Sequence, residues 1–172
     1  MSRRTATALL LIAAACMMVI SCTGKGRSDD QNFYFTTLKT DGEARVSFDI
    51  GMSDSTCVYG ISLVSRFRKD AESGNTTFSV SMTSPSGKSG SERVTLPSGY
   101  STVRNYIKNH PEDDRIQAAS TPGYYDISWL YRSNIQPQEY GEWVMTVSAV
   151  PEAGTGIIGI GIIINKIPLA GQ

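Results

Sequence analysis

The segment Thr77-Phe78-Ser79-Val80-Ser81-Met82-Thr83 alternates hydroxyl and apolar side chains without a break. Successive side chains of an extended strand point to opposite faces, so the pattern buries Phe78, Val80 and Met82 and leaves the hydroxyls in water. The same period recurs along the chain. Val46, Phe48 and Ile50 alternate with Ser47 and Asp49, and Ile127, Trp129 and Tyr131 alternate with Asp126 and Ser128. Trp143, Met145 and Val147 alternate with Thr146 and Ser148. Val58 to Val64 is more uniformly apolar, as a strand covered on both faces would be. Between these runs lie Asp41-Gly42, Ser73-Gly74-Asn75, Pro85-Ser86-Gly87, Pro97-Ser98-Gly99 and Pro122-Gly123. Each supplies a fixed φ or a residue that tolerates φ > 0, which is turn chemistry.

Nine strands are predicted, near 33–38, 44–50, 57–66, 76–84, 91–96, 115–119, 124–132, 142–150 and 157–166. The one helical signal is Val103 with Ile107, ahead of His110-Pro111, where proline stops a helix after a turn or two. Many short one-sided strands with turn-rich spacing predict an all-β protein, an antiparallel β-sandwich or jelly roll. The last strand is unusual. Ile158, Ile160, Ile162 and Ile164 fall on one face, with Gly159 and Gly161 on the other. That pattern predicts a core strand whose far face is crowded by a loop or an aromatic ring. So apolar a strand belongs inside a sheet, not at its edge.

The first residues carry a different message. Arg3 and Arg4 precede an apolar run of 13 residues, Ala8 to Ile20, which ends in Val19-Ile20-Ser21-Cys22. A basic start, a short apolar segment and a small residue make a secretory signal, and the run is well short of the ~20 residues of a membrane-spanning helix. The small residue followed by cysteine resembles a bacterial lipobox. Cleavage between Ser21 and Cys22 would leave diacylglycerol and palmitate on Cys22, now the first residue. Stable attachment takes two or more acyl chains, which a lipidated cysteine supplies. Cys16 is the poorer site, because Met17-Met18-Val19-Ile20 after it is too apolar to begin a tether. The expected organisation is a signal at 1–21, a lipidated flexible tether at 22–32 and a β-sandwich domain at 33–172.

Cleavage would remove two arginines and no acid, leaving 14 Lys plus Arg against 16 Asp plus Glu. No basic block stands out, so nucleic acid is not an expected partner. Of three cysteines only Cys57 remains free for other use, inside an apolar stretch, so an internal disulfide is excluded and a buried thiol expected.

Few residues suggest chemistry. Gly154-Thr155-Gly156-Ile157-Ile158-Gly159 matches a dinucleotide fingerprint but leads into a β-branched run, whereas that motif needs a following helix to hold the pyrophosphate. His110 is the only histidine, in Asn109-His110-Pro111-Glu112-Asp113-Asp114, an acidic loop without the spacing of a calcium or zinc site. No metal or cofactor beyond the acyl groups is expected. Glu139 or Glu142 with Asp126 would be the carboxylate pair of a glycan hydrolase, if they faced one cleft. Among the aromatics, alternation turns Trp129 and Trp143 inward. Tyr100, Tyr106 and Tyr124 are left as the exposed candidates for binding a glycan.

Several pieces of the chain resemble the gliding-motility lipoprotein H family of the Bacteroidota. They are the lipidated start at Cys22, Phe48-Asp49-Ile50, and Tyr59-Gly60-Ile61-Ser62-Leu63 leading to Arg66. Ser84-Pro85-Ser86-Gly87, Pro137 with Tyr140-Gly141-Glu142-Trp143, and the Gly-Ile close from Gly156 to Ile164 complete the set. The resemblance implies a non-enzymatic accessory of a gliding or secretion apparatus, held in the outer membrane of the cell envelope and contacting envelope proteins. It implies no catalytic residue. A carbohydrate-binding surface lipoprotein is the alternative expectation.

Overall fold

The computed structural model describes residues 31–38, 45–70, 74–149 and 156–169. Among these residues the strands are β1 (Gln31–Thr37), β2 (Arg45–Met52), β3 (Cys57–Arg68), β4 (Asn75–Thr83) and β5 (Ser89–Pro97), then β6 (Ile116–Thr121), β7 (Tyr124–Ile135), β8 (Gly141–Ala149) and β9 (Ile157–Pro168). One helix, α1 (Tyr100–Asn109), lies between β5 and β6. The strands form an antiparallel sandwich of a five-stranded sheet, β1-β9-β3-β7-β6, and a four-stranded sheet, β2-β8-β4-β5. The pairings nest: β1 with β9, β2 with β8, β3 with β7 and β4 with β5. A long hairpin folded over on itself gives that order, which is the jelly roll. β6 is an added strand that pairs only with the first half of β7.

The predicted alternation carries the core. Phe78 and Val80 are buried, as are Phe48, Ile50, Ile127, Trp129, Met145 and Val147. β3 is buried on both faces over most of its length, because it is the middle strand of five. Cys57 is free and buried.

β9 lies between β1 and β3, inside the sheet as its composition requires. Gly161 pairs with Phe35, and the Phe35 ring lies over Gly159 and Gly161. The crowding neighbour is therefore an aromatic ring. A bulge between the Arg66–Gly159 and Phe67–Ile157 pairs then shifts the alternation. In consequence Ile157, not Ile158, packs against the core, while Ile160, Ile162 and Ile164 stay on the predicted face.

Three other expectations change. Helix α1 has ten residues, more than the two turns expected, and is held by Val103, which is buried in the core. Gln31 and Asn32, expected in the tether, begin β1 and pair with Asn165 and Ile164. Trp143, expected in the core, is half-buried. The signal segment, Cys22 and the remaining tether lie outside the described residues.

The strand directions define two ends of the sandwich. β1 starts at the end that carries the β2–β3, β4–β5 and β7–β8 loops and the C-terminus of β9. Helix α1 and the β6–β7 turn lie at the opposite end.

Candidate functional site

At the end where β1 starts, the two sheets do not close. β6 stops pairing at the Ile116–Trp129 position, so β7 from Leu130 onward has a strand on one side only. β5 is the facing edge of the second sheet. Between them opens a cleft of about 440 Å³, within the range of small-molecule sites. Inward positions of five strands make its floor: Met52, Ile61, Met82, Tyr131, Ile135 and Trp143. The two methionines are unbranched and polarisable, which lets a wall fit differently shaped occupants.

The rim is charged but internally paired. Glu139 accepts hydrogen bonds from Ser86 N at 3.0 Å, Ser86 Oγ at 2.8 Å and Lys88 Nζ at 2.9 Å. These bonds clamp the β7–β8 loop onto the β4–β5 loop. Trp143 Nε1 donates to the Glu139 carbonyl oxygen at 2.9 Å, which fixes the indole against the same loop. Gly141, at φ +143°, sits so close to Pro85 that a Cβ there would lie 3.1 Å from its ring. Along the cleft, Glu92 of β5 accepts from Tyr131 Oη and, at 2.6 Å, from Arg132 Nη2 of β7. Burial pushes the Tyr131 phenol up to about 12, keeping it a donor. The Tyr131 hydrogen bond first, then the Arg132 charge, holds Glu92 below the usual carboxylate range.

Lys88 and Ser86, in that order, draw Glu139 down from 4.5 to about 2. A carboxylate with a depressed folded pKa contributes stability above its unfolded pKa, and the contribution fades as pH falls through the folded one. The clamp is therefore complete above about pH 4.5 and released toward pH 2. Trp143 reports it: an acid titration gives a change in indole emission toward pH 2 that Glu139→Gln lacks. Identical titrations of the two proteins would contradict the clamp.

The residues singled out from sequence lie elsewhere or apart. Tyr100, Tyr106 and Tyr124 are half-buried rather than exposed. Tyr100 packs on Tyr125 with ring centroids 5.1 Å apart. Tyr106 Oη donates to Asp113 Oδ2 at 2.8 Å, and its ring stacks near His110. Tyr124 lies under the Arg66 guanidinium, 4.3 Å from its ring centroid, with Phe35 at 4.7 Å. The first two are on the helix and the third on the outer sheet face, so they form no common platform. The more exposed aromatics are Phe33 and Tyr140, at 46% and 45%.

Asp126 is committed to Arg66 through bonds of 2.7 and 2.9 Å. It lies nine residues of strand from Ile135, roughly 30 Å at 3.3 Å per residue, whereas Glu139 sits just past Ile135 at the cleft. Glu142 is exposed on the outer face, opposite Gly51. The hydrolase pair thus has no shared cleft. His110 is exposed, with Glu112 at 3.5 Å, and no group of three metal-ligating side chains occurs among the described residues. Gly156 leads straight into β9, not a helix.

Among the described residues no helix is long and apolar enough to cross a membrane. Comparison with protein-family models, curated proteins and solved structures finds no match to this chain.

Proposed function

We propose that this chain is a non-catalytic lipoprotein of the cell envelope, anchored in the outer membrane through acyl groups on Cys22. Its sandwich holds a component of a gliding-motility or secretion-type assembly by docking. The observation that carries this reading is the cleft. Its floor is apolar and its rim charges are already spent on each other, Lys88 on Glu139 and Arg132 on Glu92. Such a site can bury and orient an occupant, and the serine hydroxyl beside a carboxylate, Ser86 on Glu139, belongs to the clamp that Lys88 also holds. The lipobox and the resemblance of the Ser84–Gly87 and Pro137–Trp143 segments add independent support, and both segments border the cleft.

A photo-cross-linking residue at Gln138, on the cleft rim, tests the docking. Irradiated cells should yield a discrete envelope adduct, lost when Met82→Arg puts a charge on the floor. An empty lane with a correctly localised protein would overturn the proposal.

A further inference from the structure

We propose that the cleft receives an acyl chain that ends in an uncharged polar group. The inference rests on the docking reading above and names the chemistry of what is docked.

Three observations point to it. The floor residues are apolar, and Met52 and Met82 give it the compliance that a flexible chain requires. The rim discriminates against charge: each cation already faces a carboxylate, at 2.9 Å for Lys88–Glu139 and 2.6 Å for Arg132–Glu92. An anionic head would have to displace one of these carboxylates and leave it unpaired beside the bound charge, and a cationic head meets the converse penalty. A hydroxyl or ester disturbs neither pair.

The third observation is position. The cleft opens at the end where the described chain begins at Gln31, and Ile167, Leu169 and Tyr140 are exposed at that same end. The nine residues from Cys22 to Asp30 span at most about 32 Å, so lipidation would hold this end within reach of a bilayer. The occupant is a neutral membrane lipid rather than the chain's own anchor. Diacylglycerol and palmitate would supply three chains, and withdrawing one would cut the anchor to two, the minimum for stable attachment, whereas a lipid taken from the bilayer leaves the anchor whole.

The test uses the lipidated protein with Trp129→Phe, which leaves Trp143 as the sole indole. The protein is reconstituted in phosphatidylcholine vesicles doped with dibrominated diacylglycerol or with dibrominated phosphatidic acid. The neutral lipid should quench Trp143 at doping levels on the order of tenfold lower than the acid. Quenching should disappear in Met82→Arg and in the milder Ile135→Gln, each checked for unchanged circular dichroism. Equal quenching by both lipids would overturn the neutral-head assignment. Absence of quenching would overturn the inference, as would quenching seen only when brominated fatty acid fed to the cells labels the anchor itself. If the Gln138 adduct forms while Trp143 is unquenched, the docking reading stands and the acyl assignment alone falls.

Discussion

Gly161→Ala is expected to strip β1 from the five-stranded sheet, and deleting the Phe35 ring will not restore it. A Cβ at Gly161 would sit 2.5 Å from the Tyr34 carbonyl oxygen and 3.3 Å from Phe35 Cα, both backbone atoms, as well as 2.8 Å from Phe35 Cδ2 of the ring. Backbone paired along a whole strand can yield only by separating, so the cost is about 3 kcal/mol or more. Gly159→Ala meets a different obstacle. Its Cβ would fall on the Phe35 ring, at Cζ and 2.9 Å from Cε1, with no backbone atom among the nearest neighbours. Gly159→Ala alone should cost about 1–3 kcal/mol, and Phe35→Ala in the same chain should recover much of that. Urea unfolding of the three single and two double variants measures both couplings. A larger positive coupling of Phe35 with Gly159 than with Gly161, where the Tyr34 carbonyl still obstructs, is the expected result; no coupling with either glycine would mean that the ring is not seated on them.

Ile162→Ala should cost about 3–4 kcal/mol, while Ile163→Ala, one residue on, stays below about 1 kcal/mol. Ile162 is fully buried between the sheets, opposite Tyr34 and Leu63. Ile163 is half-exposed on the outer face. The two differ only in which side of β9 they occupy, so the ratio of their effects reads the register directly. Comparable losses in urea midpoint would place the strand in another register.

Much of this was written in the period-two pattern. A strand buried on one face must alternate, and Thr77 to Thr83 does so where the structure buries Phe78 and Val80. Gly159 and Gly161 announced a close neighbour on the outer face, because few other causes put two glycines in an isoleucine run. The bulge at Ile158 was not legible, since it depends on how β9 meets β3. Nor was the length of α1: its Ser, Thr, Val and Asn residues are indifferent helix formers, and burial of Val103 overrides them. The tyrosines misled because side chains far away in sequence claim them. Arg66 lies over Tyr124, and Asp113 bonds Tyr106.

The cleft was the least legible feature. Its floor draws one or two residues from each of five strands, and it stays open only because β6 is shorter than β7. Each of those residues, read singly, is an ordinary inward position. The one local signal was Pro137-Gln138-Glu139, a loop richer in polar groups than a simple turn between β7 and β8 needs. The charge pairing that makes its rim neutral joins Glu139 to Lys88, and Glu92 to Arg132, across gaps of 51 and 40 residues.

The proposed anchor at Cys22, on which the proposed envelope role depends, is tested most directly by labelling growing cells with radioactive palmitate. Wild-type protein should carry the label and float with outer-membrane vesicles, and Cys22→Ser should lose both while the Cys16→Ser protein keeps them. An unlabelled wild-type protein, or label retained by Cys22→Ser, would contradict attachment through this cysteine.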